Sequence, residues 1–88
     1  MSDEPREHRL KRLHMRSMRR GIKEMDLILS TYAKRHLEDM SDTELDVYDA
    51  LLNENDQDLY RWITGQEAAP DHLAVLVADV SRTFQPEK

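Results

Sequence analysis

The side chains best suited to metal binding or proton transfer are four histidines, His8, His14, His36 and His72. No two of them stand i, i+4, and the chain has no cysteine, so neither an imidazole nor a thiolate metal site is spelled out. Serine, histidine and aspartate all occur, but without a nucleophile elbow. Two glycines cannot build a phosphate-cradling loop. Asp56 and Asp58 open like a calcium loop but lack its glycine and terminal glutamate, so they read as first-turn acids of a helix. Trp62 stands i+3 from Leu59 and beside Ile63, a core spacing rather than a ligand platform. Nothing here composes an autonomous enzyme. Binding chemistry concentrates instead in Arg19–Leu29, RRGIKEMDLIL, which places two guanidinium groups, a glycine and a carboxylate ahead of an apolar run.

The elements around that stretch are helical. Arg6 to Met18 carries a narrow stripe, Leu10 and Leu13, and should pack weakly. From about Ile22 to His36, the residues Ile22, Met25, Ile28, Leu29 and Tyr32 recur at helical spacing. Gly21 is then the junction, suited to an N-cap, a left-handed turn or close approach of another backbone. Glu24 falls in the first turn, where a carboxylate favours the positive end of the helix dipole; it is placed to bond the Gly21 N–H or to pair with Arg20. Ser41-Asp42-Thr43-Glu44 is a capping box with Met40 and Leu45 as its staple, and Leu45, Tyr48, Leu51 and Leu52 follow as a buried face. Asn55 is the N-cap of a short helix, Asp56 to Thr64, closed by Gly65. Pro70 opens a last helix whose stripe runs Leu73, Leu76, Val77, Val80, Phe84. Short loops predict a compact all-α, five-helix bundle in a single domain over 1–88, with flexible tails at 1–5 and 85–88. Its core should bury Leu29, Leu45, Leu52, Leu59, Trp62, Leu73, Leu76, Val77 and Val80.

At 88 residues the chain buries only roughly 60–65% of its unfolded surface, so that core is thin. Charged residues make up 35% and apolar residues 39%, a soluble helical balance. No apolar run approaches the ~20 residues of a membrane span. Residues 1–24 hold eight Lys/Arg against four Asp/Glu, and residues 25–88 hold five against fourteen. A basic arm thus sits on an acidic body. Such an arm is a solvated face or a binding element, and the acidic body disfavours nucleic acid, so an acidic protein partner suits it better. A small adaptor or antitoxin-like protein, or a nucleic-acid binder using the arm, are the competing classes. Asp3, Glu4 and Glu7 count against a mitochondrial presequence; with no cysteine, the expectation is a bacterial cytoplasmic protein.

RGIKE matches an RGxxE motif. Together with SDTELDVYDALLNENDQDLYRWITG, it resembles the SdhE family, the small flavinylation and assembly factors of succinate dehydrogenase, over about Lys11 to Gly65. The chain departs from that pattern at His14, Met15 and Met18, where aromatic residues are common. The resemblance implies a five-helix bundle that is not an enzyme. It implies binding to the flavoprotein subunit of succinate dehydrogenase, and in some bacteria of fumarate reductase, to promote covalent attachment of FAD to a histidine of that subunit. FAD would be the client's cofactor, with none held stably here, and the factor would act as a monomer. The implied contact surface centres on Arg20, Gly21 and Glu24, with Arg19, Lys23 and Asp26 beside them. In it Arg20 would anchor on a flavoprotein carboxylate or carbonyl, and Glu24 would orient neighbouring groups.

Overall fold

Ser41 and Glu44 start the central helix as their types require: Ser41 Oγ accepts from the Glu44 N–H at 3.1 Å, and Glu44 Oε1 accepts from the Ser41 N–H at 2.8 Å. Met40 and Leu45, the staple, are both buried. Asn55 Oδ1 caps the next helix by accepting from the Gln57 N–H. That helix ends in a Schellman motif around Gly65, whose φ of 83° is left-handed: Gly65 N–H donates to Trp62 O and Gln66 N–H to Arg61 O.

A computed structural model describes residues 4–84. Its helices are α1 (Arg6–Ser17), α2 (Lys23–His36), α3 (Asp42–Leu52), α4 (Asp56–Ile63) and α5 (Asp71–Phe84), with a 3-10 turn, Leu37–Asp39, after α2. There is no strand among the described residues, and none of these helices is long and apolar enough to cross a membrane. The all-α five-helix architecture is as expected. The tail expected at 85–88 and residues 1–3 lie outside the described residues. Glu4 and Pro5, assigned to a tail, are held: Glu4 pairs with Arg12 at 2.9 Å and Pro5 O accepts from the Arg9 N–H.

Leu13, Met25, Leu29, Leu37, Leu45, Leu51, Leu59, Leu73 and Val80 are fully buried around Tyr32 and Tyr48. Trp62 and Leu76, expected in the core, are only partly buried against it. The buried line of α4 runs through Leu59 and Ile63, which leaves the indole at the edge of an open groove shared with Gly65, Ala74 and Ala78. Leu76 likewise borders a groove with Tyr32, Met40 and Val47.

α1 is bound more firmly than its two-leucine stripe suggests. Leu13 is fully buried, and so is Ser17, whose hydroxyl donates to Leu13 O and shares a 2.6 Å hydrogen bond with the Tyr48 hydroxyl. Burial pushes the Tyr48 hydroxyl up to about 12. Beside this apolar seam runs a ladder of charge. Arg6 pairs with Asp42, Arg9 with Asp46, Arg12 with Asp49, and Arg16 with Asp49 and Asn53. Partner numbers rise together, so α1 and α3 lie parallel. The basic arm's acidic partner is therefore α3 of the same chain, which corrects the expectation of an outside one. The arginines spaced three and four apart on α1 face the aspartates similarly spaced on α3.

Candidate docking site

The turn between α1 and α2 carries the RGxxE motif. Met18 closes α1 through its N–H to Met15 O. Arg19 then takes a left-handed φ of 58°, a conformation costing a non-glycine residue about 1–2 kcal/mol. Its N–H donates to Asp26 Oδ2 at 3.0 Å, one turn into α2, and so pins the turn to the helix it introduces. The left-handed residue is thus Arg19 and the N-cap is Ile22, where the sequence suggested Gly21 for either role.

Gly21 serves a different need. Its N–H donates to Asp56 Oδ2 at 2.6 Å, and the Ile22 N–H donates to the same oxygen at 3.3 Å. A Cβ at Gly21 would stand 3.3 Å from that oxygen, tighter than an ordinary contact. Close approach is what the glycine permits, and the approaching group is a carboxylate of α4.

Arg20 completes the same cluster. Nε and Nη2 hold Asp56 Oδ1 at 2.8 and 2.6 Å. The remaining donors reach Arg16 O at 3.2 Å, Leu52 O at 3.2 Å and Glu54 O at 3.3 Å. The two side chains are only 11% and 14% exposed. Arg20 therefore ties together the end of α1, the link between α3 and α4, and the start of α4. The carboxylate and carbonyls expected for it on a partner are met within its own chain.

Glu24 neither bonds Gly21 nor pairs with Arg20, because Asp56 occupies both places. It is exposed, and no bonding partner is found for it among the described residues. Lys23 and Arg19 are exposed as well, Gly21 presents its backbone at the surface, and Asp26 is partly buried behind Arg19. Leu27 follows Lys23 by four residues and Glu24 by three, so it shares their face; it is 64% exposed. Of the six motif residues, then, four form an exposed surface and two, Arg20 and Asp26, shape the turn beneath it. Asp56 is the neighbour of the motif that was missed from sequence. It lies 35 residues from Gly21, and its only local signal is that of an acid in the first turn of a helix.

The other recesses are open and polar or shallow. One, about 470 Å³, is lined by the α1–α3 ladder itself, including Arg9, Arg12, Asp46 and Asp49. The Arg12 guanidinium holds Asp49 below the usual carboxylate range. Among the described residues, no group of three or more histidines and acids could hold a metal ion.

A family model described as Sdh5, flavinator of succinate dehydrogenase, matches residues 11–83. The chain is 52% identical over 61 residues to a succinate dehydrogenase assembly factor 2, mitochondrial, of Meyerozyma guilliermondii, covering 69% of this chain and 45% of that protein. It is 43% identical over 71 residues to the protein of that name from Mycosarcoma maydis, covering 81% of this chain and 30% of the other. An assembly factor 2-B of Drosophila mojavensis is 44% identical over 70 residues, 77% of this chain and 45% of its own length. The chain thus spans less than half the length of these relatives. All three are named as mitochondrial, which overturns the placement in a bacterial cytoplasm. The early acids were a poor guide because Glu4 belongs to the fold, where it pairs with Arg12. With most of its length matched, the chain belongs to the Sdh5 family, the flavinator of succinate dehydrogenase.

Proposed function

We propose that this protein is an assembly factor, not an enzyme, that binds the flavoprotein subunit of succinate dehydrogenase and promotes covalent attachment of FAD to it. Membership of the flavinator family over residues 11–83 carries the reading. The docking surface is the exposed face of the motif: the Arg19–Gly21 backbone, Lys23, Glu24 and Leu27. On this face Leu27, 64% exposed, offers an apolar contact flanked by the Lys23 and Glu24 charges, on a turn fixed from beneath.

FAD belongs to the client, whose own histidine forms the bond. The factor supplies orientation. By binding better to the flavoprotein conformation in which histidine and flavin meet, it raises that conformation's population, and fixing two reacting groups in a near-attack geometry is worth several kcal/mol. Glu24 binds a donor on the flavoprotein and Leu27 packs beside it. The factor binds as a monomer, and a fumarate reductase flavoprotein is a client on the same terms.

Affinity capture with the tagged protein tests the reading. The flavoprotein subunit should be retained by the wild type and lost with Glu24→Ala. Retention of nucleic acid or of an unrelated protein, with no flavoprotein, contradicts it.

A further inference from the structure

The N-terminus of α2 has no side-chain cap of its own. Its entering N–H groups, at Gly21 and Ile22, are satisfied by Asp56 from α4, whose other oxygen holds Arg20. The neighbouring first-turn acid of α4, Asp58, is turned away to Arg61. One carboxylate from a distant element thus does the local work that Glu24 would otherwise do, and Glu24 is left free on the surface. We propose, on the docking reading above, that Asp56 is a positioning residue of the docking surface: through Arg20 and the Gly21 and Ile22 amides it holds the turn so that Lys23, Glu24 and Leu27 face the flavoprotein. Arg20 acts in the same unit and does not itself touch the partner.

Two consequences separate this from a merely stabilising ion pair. Loss of the clamp lowers the fraction of molecules with a competent turn. That fraction multiplies the apparent affinity and leaves the bound state unchanged. The half-saturating concentration of factor in flavinylation should therefore rise while the rate at saturating factor stays at the wild-type value. Further, Arg20 and Asp56 removed together should cost no more than the worse of the two alone, because either change opens the same clamp.

The experiment titrates the purified flavoprotein subunit with full-length wild type, Asp56→Asn, Arg20→Lys, their double variant, Asp56→Glu and Glu24→Ala. Circular dichroism confirms folding of each at a temperature well below its melting transition. Asp56→Asn should weaken binding about tenfold or more, Asp56→Glu less, and the double variant should match the weaker single. In the free protein, the Gly21 and Ile22 amide resonances should move with Asp56→Asn. Should Asp56→Asn fail to fold, Arg20→Lys, Asp56→Glu and their double are held to the same non-additivity criterion. Wild-type affinity for the folded Asp56 variants overturns the proposal, as does a double variant whose loss is the product of the singles, since Arg20 would then contact the partner itself. Wild-type affinity for Glu24→Ala is a separate failure, that of the docking surface, whatever Asp56 does.

Discussion

Arg20 and Glu24 share a five-residue motif and should respond oppositely to truncation. Removing the Arg20 guanidinium leaves Asp56 nearly buried without its counter-charge and three carbonyls without their donors. Breaking such a pair costs about 3–5 kcal/mol, and the two N–H groups that Asp56 retains place Arg20→Ala at about 3 kcal/mol. Thermal melting should show a transition many degrees lower; an unchanged one contradicts the clamp. Glu24→Ala removes an exposed side chain with no partner among the described residues, so stability should stay within about 0.5 kcal/mol of the wild type. A drop of ~1–2 kcal/mol would mean that Glu24 caps α2 after all. Gly21→Ala should be intermediate, since its Cβ presses on the Asp56 oxygen at 3.3 Å.

Among the elements, α1 depends on charge as much as on burial. Asp49 gathers Arg12 at 3.0 Å and Arg16 at 2.7 Å, and Arg9 at 4.0 Å. Because the Arg12 hydrogen bond lowers the Asp49 carboxyl in the fold, its contribution is present above the ordinary carboxylate range and is lost as pH falls through the depressed value. Asp79 behaves likewise, lowered first by the Tyr32 hydroxyl, which donates to it at 2.5 Å. Chemical denaturation should therefore find the protein less stable at pH 3 than at pH 7, and less stable in high salt, which screens the partly exposed ladder. Asp49→Ala should cost about 1–2 kcal/mol, discounted for its exposure, and should reduce the salt dependence, with the more exposed Arg6–Asp42 and Arg9–Asp46 pairs keeping the rest. Equal salt sensitivity in the variant and the wild type would show the ladder to be incidental. The start of α3 makes the comparison: Ser41→Ala removes an exposed neutral cap, costs about 1 kcal/mol, and does so equally in low and high salt. These two helices also mark what a single sequence discloses. Ser41, Asn55 and Gly65 act on groups within three residues of themselves, and each stands where its type requires. The Arg9–Asp46 and Arg20–Asp56 pairs join residues 37 and 36 apart, so no window of local periodicity contains both partners. The basic arm and acidic body were visible as composition, but their mutual neutralisation was not.

At the scale of the whole molecule, the described residues form a thin bundle, extending 38 × 25 × 24 Å, whose first and third helices are joined by ion pairs and whose motif turn is held by its shortest α-helix. On the proposed function, a docking face built this way is set before the partner arrives, which reduces the ordering that binding must otherwise supply. In that function the preset face accelerates flavin attachment to a client. The direct measurement is the rise of covalent flavin fluorescence on the denatured succinate dehydrogenase flavoprotein subunit, from purified apo-subunit and FAD. It is followed with no factor, with wild type and with folded Glu24→Ala. Wild type should raise the rate severalfold or more, and Glu24→Ala should leave it near the unassisted value. A rate indifferent to the wild-type protein, where unassisted attachment is slow, would show that the protein has no part in flavin attachment.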